Sequence, residues 1–103
     1  MSAINRIAHA AKVARGLTWG DALRYAHKMV KNSNEVQLIT FVKKSGKQTT
    51  RVVSLKWTDF VTPVGGPRRP KGMRIVADLA KAAAMDYPII SFYADMVVST
   101  SRL

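Results

Sequence analysis

Residues 36–53 read VQLITFVKKSGKQTTRVV. From Val36 to Val42 the side chains alternate with a period of two, which is the repeat of a β-strand. The Ser45-Gly46 pair supplies the positive φ angle of a tight turn, and the return segment, rich in Thr and Val, predicts a second strand over Gln48–Trp57. The stretch therefore predicts a β-hairpin with a lysine-rich tip.

Two helices are expected before this hairpin, in residues 1–32. Apolar side chains recur at helical spacing from Ser2 to Arg15, and Gly16 is suited to end that helix in the left-handed conformation. Thr18 is suited to cap a second helix over about 19–31, with Asp21 three residues later in a box-like arrangement. Trp19 is expected on the apolar face of this second helix, opposite a solvated basic face.

The segment after the hairpin alternates between a loop and strands. Three prolines and three glycines in residues 62–72 predict a loop that carries basic side chains. Strands are expected at Met73–Leu79 and Ile89–Val98, while residues 80–85 suit either one helical turn or a long hairpin loop. Two helices followed by four or five antiparallel strands define an α+β domain, with its sheet core in residues 35–98. We expect this small sheet to be curled or closed into a barrel, with the helices over one face or end.

Length and composition limit the class of protein. The chain has 103 residues, the size of one domain, with 48% apolar and 22% charged residues as in soluble globular proteins. It contains no cysteine, which excludes disulfides, thiol nucleophiles and zinc ribbons and fits a reducing cytoplasm. Because no run of 18 apolar residues and no secretory signal occurs, we expect no membrane span and a cytoplasmic location.

The charge balance points to a polyanionic partner. Seventeen Lys and Arg against six Asp and Glu give a net charge of +11, which favours nucleic acid first and an anionic membrane second. Nine of the basic residues lie between positions 43 and 74, against the single acid Asp59, and leave +8 in that segment. They are Lys43, Lys44, Lys47, Arg51, Lys56, Arg68, Arg69, Lys71 and Arg74. We expect the hairpin tip and the basic loop to meet a phosphate backbone together.

One aromatic residue is a candidate for base stacking. In the last predicted strand, Phe92 shares a face with Ile90 and is expected in the core. Tyr93 shares the other face with Ser91 and is expected outside. Tyr93 is therefore predicted to stack on unpaired bases, with core packing of the aromatics as the alternative. The same alternation predicts that Trp57 is buried.

Catalytic and metal-binding patterns are weak. His9 and His27 belong to different predicted helices, so they form no compact metal set with a carboxylate. Asp78, Asp86 and Asp95 converge only if the last two strands pair, which leaves a shared-proton or metal site open beside ordinary turn roles. The Gly-containing loop lacks the spacing of a P-loop. We expect no catalytic residue, no metal and no cofactor.

Three segments carry a resemblance to known proteins, namely residues 41–51, 75–79 and 86–97. Together they resemble small SH3-like barrel proteins of bacteriophages and bacteria, and are similar to the core of WYL domains. Those families have a basic hairpin, a strand ending in Asp, a short turn, and a strand with an aromatic and an Asp a few residues apart. WYL domains usually have Arg residues before and after that aromatic, where this chain has Ile90 and Ala94, so their ligand-contacting residues do not carry over.

Charge and resemblance together predict a small basic module without enzymatic activity. It is expected to bind nucleic acid through phosphate contacts with low sequence specificity, whether single-stranded or duplex, by means of the nine basic residues and Tyr93. The alternative is a structural or interaction protein, such as a phage virion component or an oligomeric scaffold, located in the host cytoplasm or the virion.

Overall fold

The computed structural model describes residues 2–61, 71–84 and 87–103. Three helices and five strands occur in these ranges, which confirms the predicted α+β class with two N-terminal helices. In chain order they are α1 (Ala3–Arg15), α2 (Trp19–Asn32), β1 (Val36–Val42), β2 (Gln48–Ser54), β3 (Met73–Asp78), α3 (Leu79–Ala84), β4 (Ile89–Tyr93) and β5 (Val97–Arg102). Two short 3₁₀ turns, η1 (Trp57–Asp59) and η2 (Ala94–Met96), follow β2 and β4 respectively. Across the described ranges, no helix has the length and apolarity needed to cross a membrane.

The ends of the first two helices follow the sequence signals. The Ser2 hydroxyl accepts a hydrogen bond from the Asn5 amide, and Gly16 ends α1 at φ 65°. At the start of α2, the Thr18 hydroxyl accepts from the Asp21 amide at 3.2 Å, as predicted for its cap. These bonds satisfy amides that have no partner inside a helix.

The three helices pack on one face of the sheet mainly through alanine. This helix-side core consists of Ala3, Ile7, Ala8, Ala11, Ala22, Ala26, Val52, Leu79 and Ala83, all buried. Trp19 was predicted to lie on the apolar face of α2, but it is 42% exposed. It occupies the first position of α2, where side chains tilt toward the N-terminus and so project beyond the helix end.

The predicted hairpin is present. β1 and β2 pair from Val36 opposite Ser54 to Val42 opposite Gln48, and Gly46 in the turn has φ 87°. β2 ends three residues earlier than predicted, because the chain leaves the sheet after Ser54 and turns into η1. Trp57 is consequently half-buried at the start of a 3₁₀ turn, rather than buried in a strand.

The single strand predicted over Ile89–Val98 is in fact two strands, β4 and β5, separated by η2. They lie at opposite edges of the sheet, whose strand order is β4-β3-β2-β1-β5. In a flat sheet these edges would be about 19 Å apart, at about 4.8 Å per strand. A three-residue 3₁₀ turn rises only about 6 Å, so the sheet has to curl.

Ring stacking across the interior confirms this curl. Phe41 on β1 and Phe92 on β4 stack with ring centroids 4.8 Å apart, although β2 and β3 lie between their strands. The two rings belong to an inner core of Ile39, Phe41, Val53, Val76 and Phe92. Phe92 is 7% exposed, in agreement with its predicted place inside. In the described ranges β4 and β5 do not pair with each other, so the sheet is curled but not closed.

We expect Phe92→Ala to lower the free energy of unfolding by about 3–5 kcal/mol, because it removes one of two stacked rings from a small core. Val98→Ala is the matched control. Val98 is 56% exposed on β5, and its truncation should change stability by about 0.5 kcal/mol or less. Urea titrations followed by circular dichroism measure both values, and similar losses in the two variants would contradict the inner core.

Candidate nucleic-acid interface

The end of the curled sheet nearest the hairpin tip contains a cleft of about 560 Å³, here called the hairpin cleft. Its lining residues are Phe41, Val42, Lys43, Lys44, Gly46, Met73, Ser91, Phe92, Tyr93 and Met96. Three predicted site residues, Lys43, Lys44 and Tyr93, therefore come together here from segments about 50 positions apart. Phe41 and Phe92, each 7% exposed, are the buried members of this lining.

Backbone hydrogen bonds fix the turn that carries the lysines. The Lys43 amide donates to the Lys47 carbonyl at 2.8 Å, and the Gly46 amide donates to the Lys43 carbonyl at 2.9 Å. Lys43, Lys44 and Lys47 are all exposed. Three ammonium groups thus extend into solvent from one closed turn at the edge of the cleft.

The end of the basic loop reaches the same region. The Ala94 amide donates to the Gly72 carbonyl at 2.8 Å, which joins this end of the loop to η2, and Met73 lines the cleft. Lys71, exposed, lies two residues before Met73. Arg68 and Arg69, which were predicted to act with Lys71, lie outside the described residues.

Tyr93 forms part of the cleft wall. It pairs with Met73 across the β3–β4 ladder and is half-buried, whereas the preceding Phe92 points into the inner core. Alternation therefore assigned the two aromatics to opposite faces correctly. Tyr93 is less exposed than expected, and Met73 and Met96 line the same cleft.

Arg51 has a structural partner that the sequence did not suggest. Its guanidinium lies 3.1 Å from the Asp78 carboxylate, which is fully buried at the end of β3, while the Arg51 side chain is 34% exposed. The second Asp78 oxygen accepts from the amides of Ala80 and Lys81 at 3.0 and 3.2 Å and so caps α3. An Asp shortly before an alanine run is a recognisable helix-capping signal, and the described part of the segment that was left open, residues 80–84, is helical.

Two other predicted cations lie away from the hairpin cleft. Arg74 lines a separate cleft of about 380 Å³ together with Leu55 and Thr100. Lys56 is exposed and directly precedes η1. The predicted basic patch is thus divided into a hairpin group around the cleft and individual cations elsewhere on the sheet.

The shared carboxylate site that was left open for the aspartates does not form where they are described. The β3–β4 register pairs Met73 with Tyr93 and Ala77 with Ile89, so Asp78 and Asp95 lie at opposite ends of this strand pair. Asp86 lies outside the described residues. In residues 2–61, 71–84 and 87–103, no group of three His, Asp or Glu side chains could hold a metal ion.

Met73 and Met96 are cleft residues that sequence patterns did not indicate. Met96 is 47% exposed, and it reaches the cleft because η2 interrupts what reads as one continuous strand. Met73 begins β3 directly after a turn in which Gly72 has a φ angle of 84°. Both positions depend on contacts between distant segments, which periodicity does not reveal.

Comparison with known proteins adds no relative. No family model, no curated protein and no solved structure matches the chain. The cleft, its charges and its apolar lining are therefore the basis for assigning a function.

Removal of the buried carboxylate tests its structural role. We expect Asp78→Ala to lower the free energy of unfolding by about 2–4 kcal/mol, because it removes two cap hydrogen bonds and the acceptor of Arg51. Asp21→Ala is the control, since Asp21 pairs with Arg24 at 2.9 Å on the surface and should contribute at most about 1 kcal/mol. Thermal and urea unfolding of both variants measure the difference, and an Asp78 variant as stable as the control would refute this role.

Proposed function

We propose that the protein is a small nucleic-acid-binding module without enzymatic activity, which holds the phosphate backbone at the hairpin cleft with low sequence specificity. The observation that carries the proposal is the meeting of Lys43 and Lys44 with Tyr93 at one cleft. Cationic groups that contact phosphates beside a ring that contacts bases are the combination found in proteins that bind single strands.

The charge of the whole molecule supports the same partner. A net charge of +11 attracts polyanions over distances of about 10 Å at ordinary salt. Of the two described ion pairs, Arg24–Asp21 and Arg51–Asp78, neither involves a hairpin lysine. The ammonium groups of Lys43, Lys44 and Lys47 are therefore available to phosphates.

The residue types at the cleft support low sequence specificity. Lysine interacts with phosphate as a flexible point charge, whereas base-edge reading relies on arginine, asparagine or glutamine held in a fixed plane. The planar guanidinium of Arg51 is paired with the Asp78 carboxylate, and Arg74 lines a different cleft. Affinity is thus expected to depend on backbone charge more than on sequence.

Two triple variants test the location of the phosphate contacts. We expect Lys43→Ser, Lys44→Ser and Lys47→Ser together to weaken single-strand binding roughly tenfold or more, and to reduce the salt-dependence slope by about 2. The matched control changes Lys12, Lys28 and Lys31, all exposed on α1 and α2, to Ser and lowers net charge equally. Fluorescence anisotropy with a labelled oligomer at several salt concentrations measures the affinity and its salt dependence. Equal effects of the two triple variants would show that the attraction depends on net charge and not on the hairpin lysines.

An edge strand favours a second candidate function, that of an oligomeric or scaffold protein. β5 is an outer strand of the described sheet, its only charged residue is Arg102, and Val98 on it is 56% exposed. Unprotected edges of this kind offer backbone groups for pairing with another chain. In a virion component, the same positive surface would face packaged nucleic acid.

The strand edge has its own test. If copies associate through β5, Val98→Lys should shift the protein toward monomer, because a charge at an edge opposes strand pairing. Sedimentation velocity at several concentrations measures the change. A wild-type protein that is monomeric throughout this series would remove the scaffold alternative and leave the binding module.

The hairpin and the strand that follows it also support a relationship to SH3-like barrels, as the sequence resemblance implies. In both the resemblance and the structure, a basic hairpin is followed by a strand that ends in an aspartate, here Asp78. We propose this relationship on the arrangement of strands alone.

A further inference from the structure

We infer that the hairpin cleft receives an unpaired nucleobase, so that the preferred ligand is a single strand and not a duplex. This inference rests on the proposed function and makes it more specific. It assigns the apolar part of the cleft to a base, because the lysines alone would bind the phosphates of a single strand and of a duplex equally.

The lining of the cleft suits a flat aromatic ring. Tyr93 is half-buried, Met96 is 47% exposed, and Met73 is paired with Tyr93 across the ladder. A phenol ring and two thioethers therefore line the same cleft as the stacked Phe41 and Phe92 rings. Thioethers adapt their shape and make favourable contacts with aromatic rings, and every nucleobase has a π-face to offer. The volume of about 560 Å³ lies within the range of pockets that hold small ligands.

Charge complementarity selects a nucleotide over an uncharged apolar ligand. The lining of the cleft combines apolar and aromatic side chains with the exposed residues Lys43 and Lys44. A nucleotide has the same division, since its base is an aromatic ring and its phosphate is an anion. Asp95, exposed beside Met96 on η2, repels phosphate. The phosphates are therefore expected on the side of the hairpin lysines.

The preference for a single strand over a duplex follows from how accessible the bases are in each form. In a duplex the bases are stacked and paired, and to enter a protein pocket one of them has to be flipped out at a cost in free energy. In a single strand a base is available at little cost. A cleft that takes a base thus discriminates between the two forms without reading sequence.

Methyl NMR on the full chain tests this directly. Methionine methyl groups labelled with ¹³C are observed while three ligands of equal phosphate number are added, namely an oligothymidylate, an abasic oligomer and a duplex. We expect the Met73 and Met96 signals to move with oligothymidylate alone, because only that ligand brings a ring current into the cleft. Met29, which lines a different pocket beside Phe60, is the internal control.

Affinity measurements separate the two proposals. Oligothymidylate should bind about tenfold more tightly than the abasic oligomer, as expected for one stacked base. Equal affinities with unmoved Met73 and Met96 signals would overturn the base site but leave the phosphate-binding function intact. Failure of all three ligands to bind at low salt would overturn both.

A point variant supplies the last comparison. Met96→Ser alters a side chain that is 47% exposed, so the fold should be retained. It should weaken oligothymidylate binding several-fold and leave binding of the abasic oligomer unchanged. Asp95→Asn is its counterpart and should tighten both complexes, since it removes a negative charge near the phosphates. If Met96→Ser weakened both ligands equally, the base site would be wrong.

Discussion

The constraint on which the rest of the structure depends is the shortness of the connection between β4 and β5. Two strands joined by the three residues of η2 occupy opposite edges of a five-stranded sheet. The sheet can meet this requirement only by bending until its outer strands approach each other. That bend encloses the inner core, brings the Phe41 and Phe92 rings into contact, and leaves the hairpin cleft at its end.

A buried carboxylate holds the other side of this arrangement in place. Asp78 ends β3, caps α3 and accepts from Arg51 on β2, so one side chain joins three elements. Its charge is fully buried, and the guanidinium and two backbone amides supply the hydrogen bonds that such burial requires. Arg51 therefore has a structural role between β2 and β3 that its predicted phosphate contact did not include.

Short-range sequence signals predicted the features that depend on neighbouring residues. The β1–β2 hairpin, the caps at Ser2, Gly16 and Thr18, and the opposite faces of Phe92 and Tyr93 were all available from spacing and residue type. The break in the last predicted strand was not, because Ala94 and Asp95 lower the β propensity of Ile89–Val98 only briefly, and such a short interruption does not indicate that the chain moves to another edge. The pairing of Asp78 with Arg51 and the methionines of the cleft were missed for a similar reason, since their partners are distant in sequence.

The alanine content of the helix-side core has a consequence for how the chain accepts change. Six of its nine buried residues are alanines, so the helices approach closely and each buries little apolar area. Side chains of this size leave no room for growth, and one added methylene at such a position displaces a backbone and not only a neighbouring side chain. Substitutions are therefore expected to be tolerated on the outer faces of α1 and α2 and strongly restricted on their inner faces, even though most inner residues are alanines without functional groups.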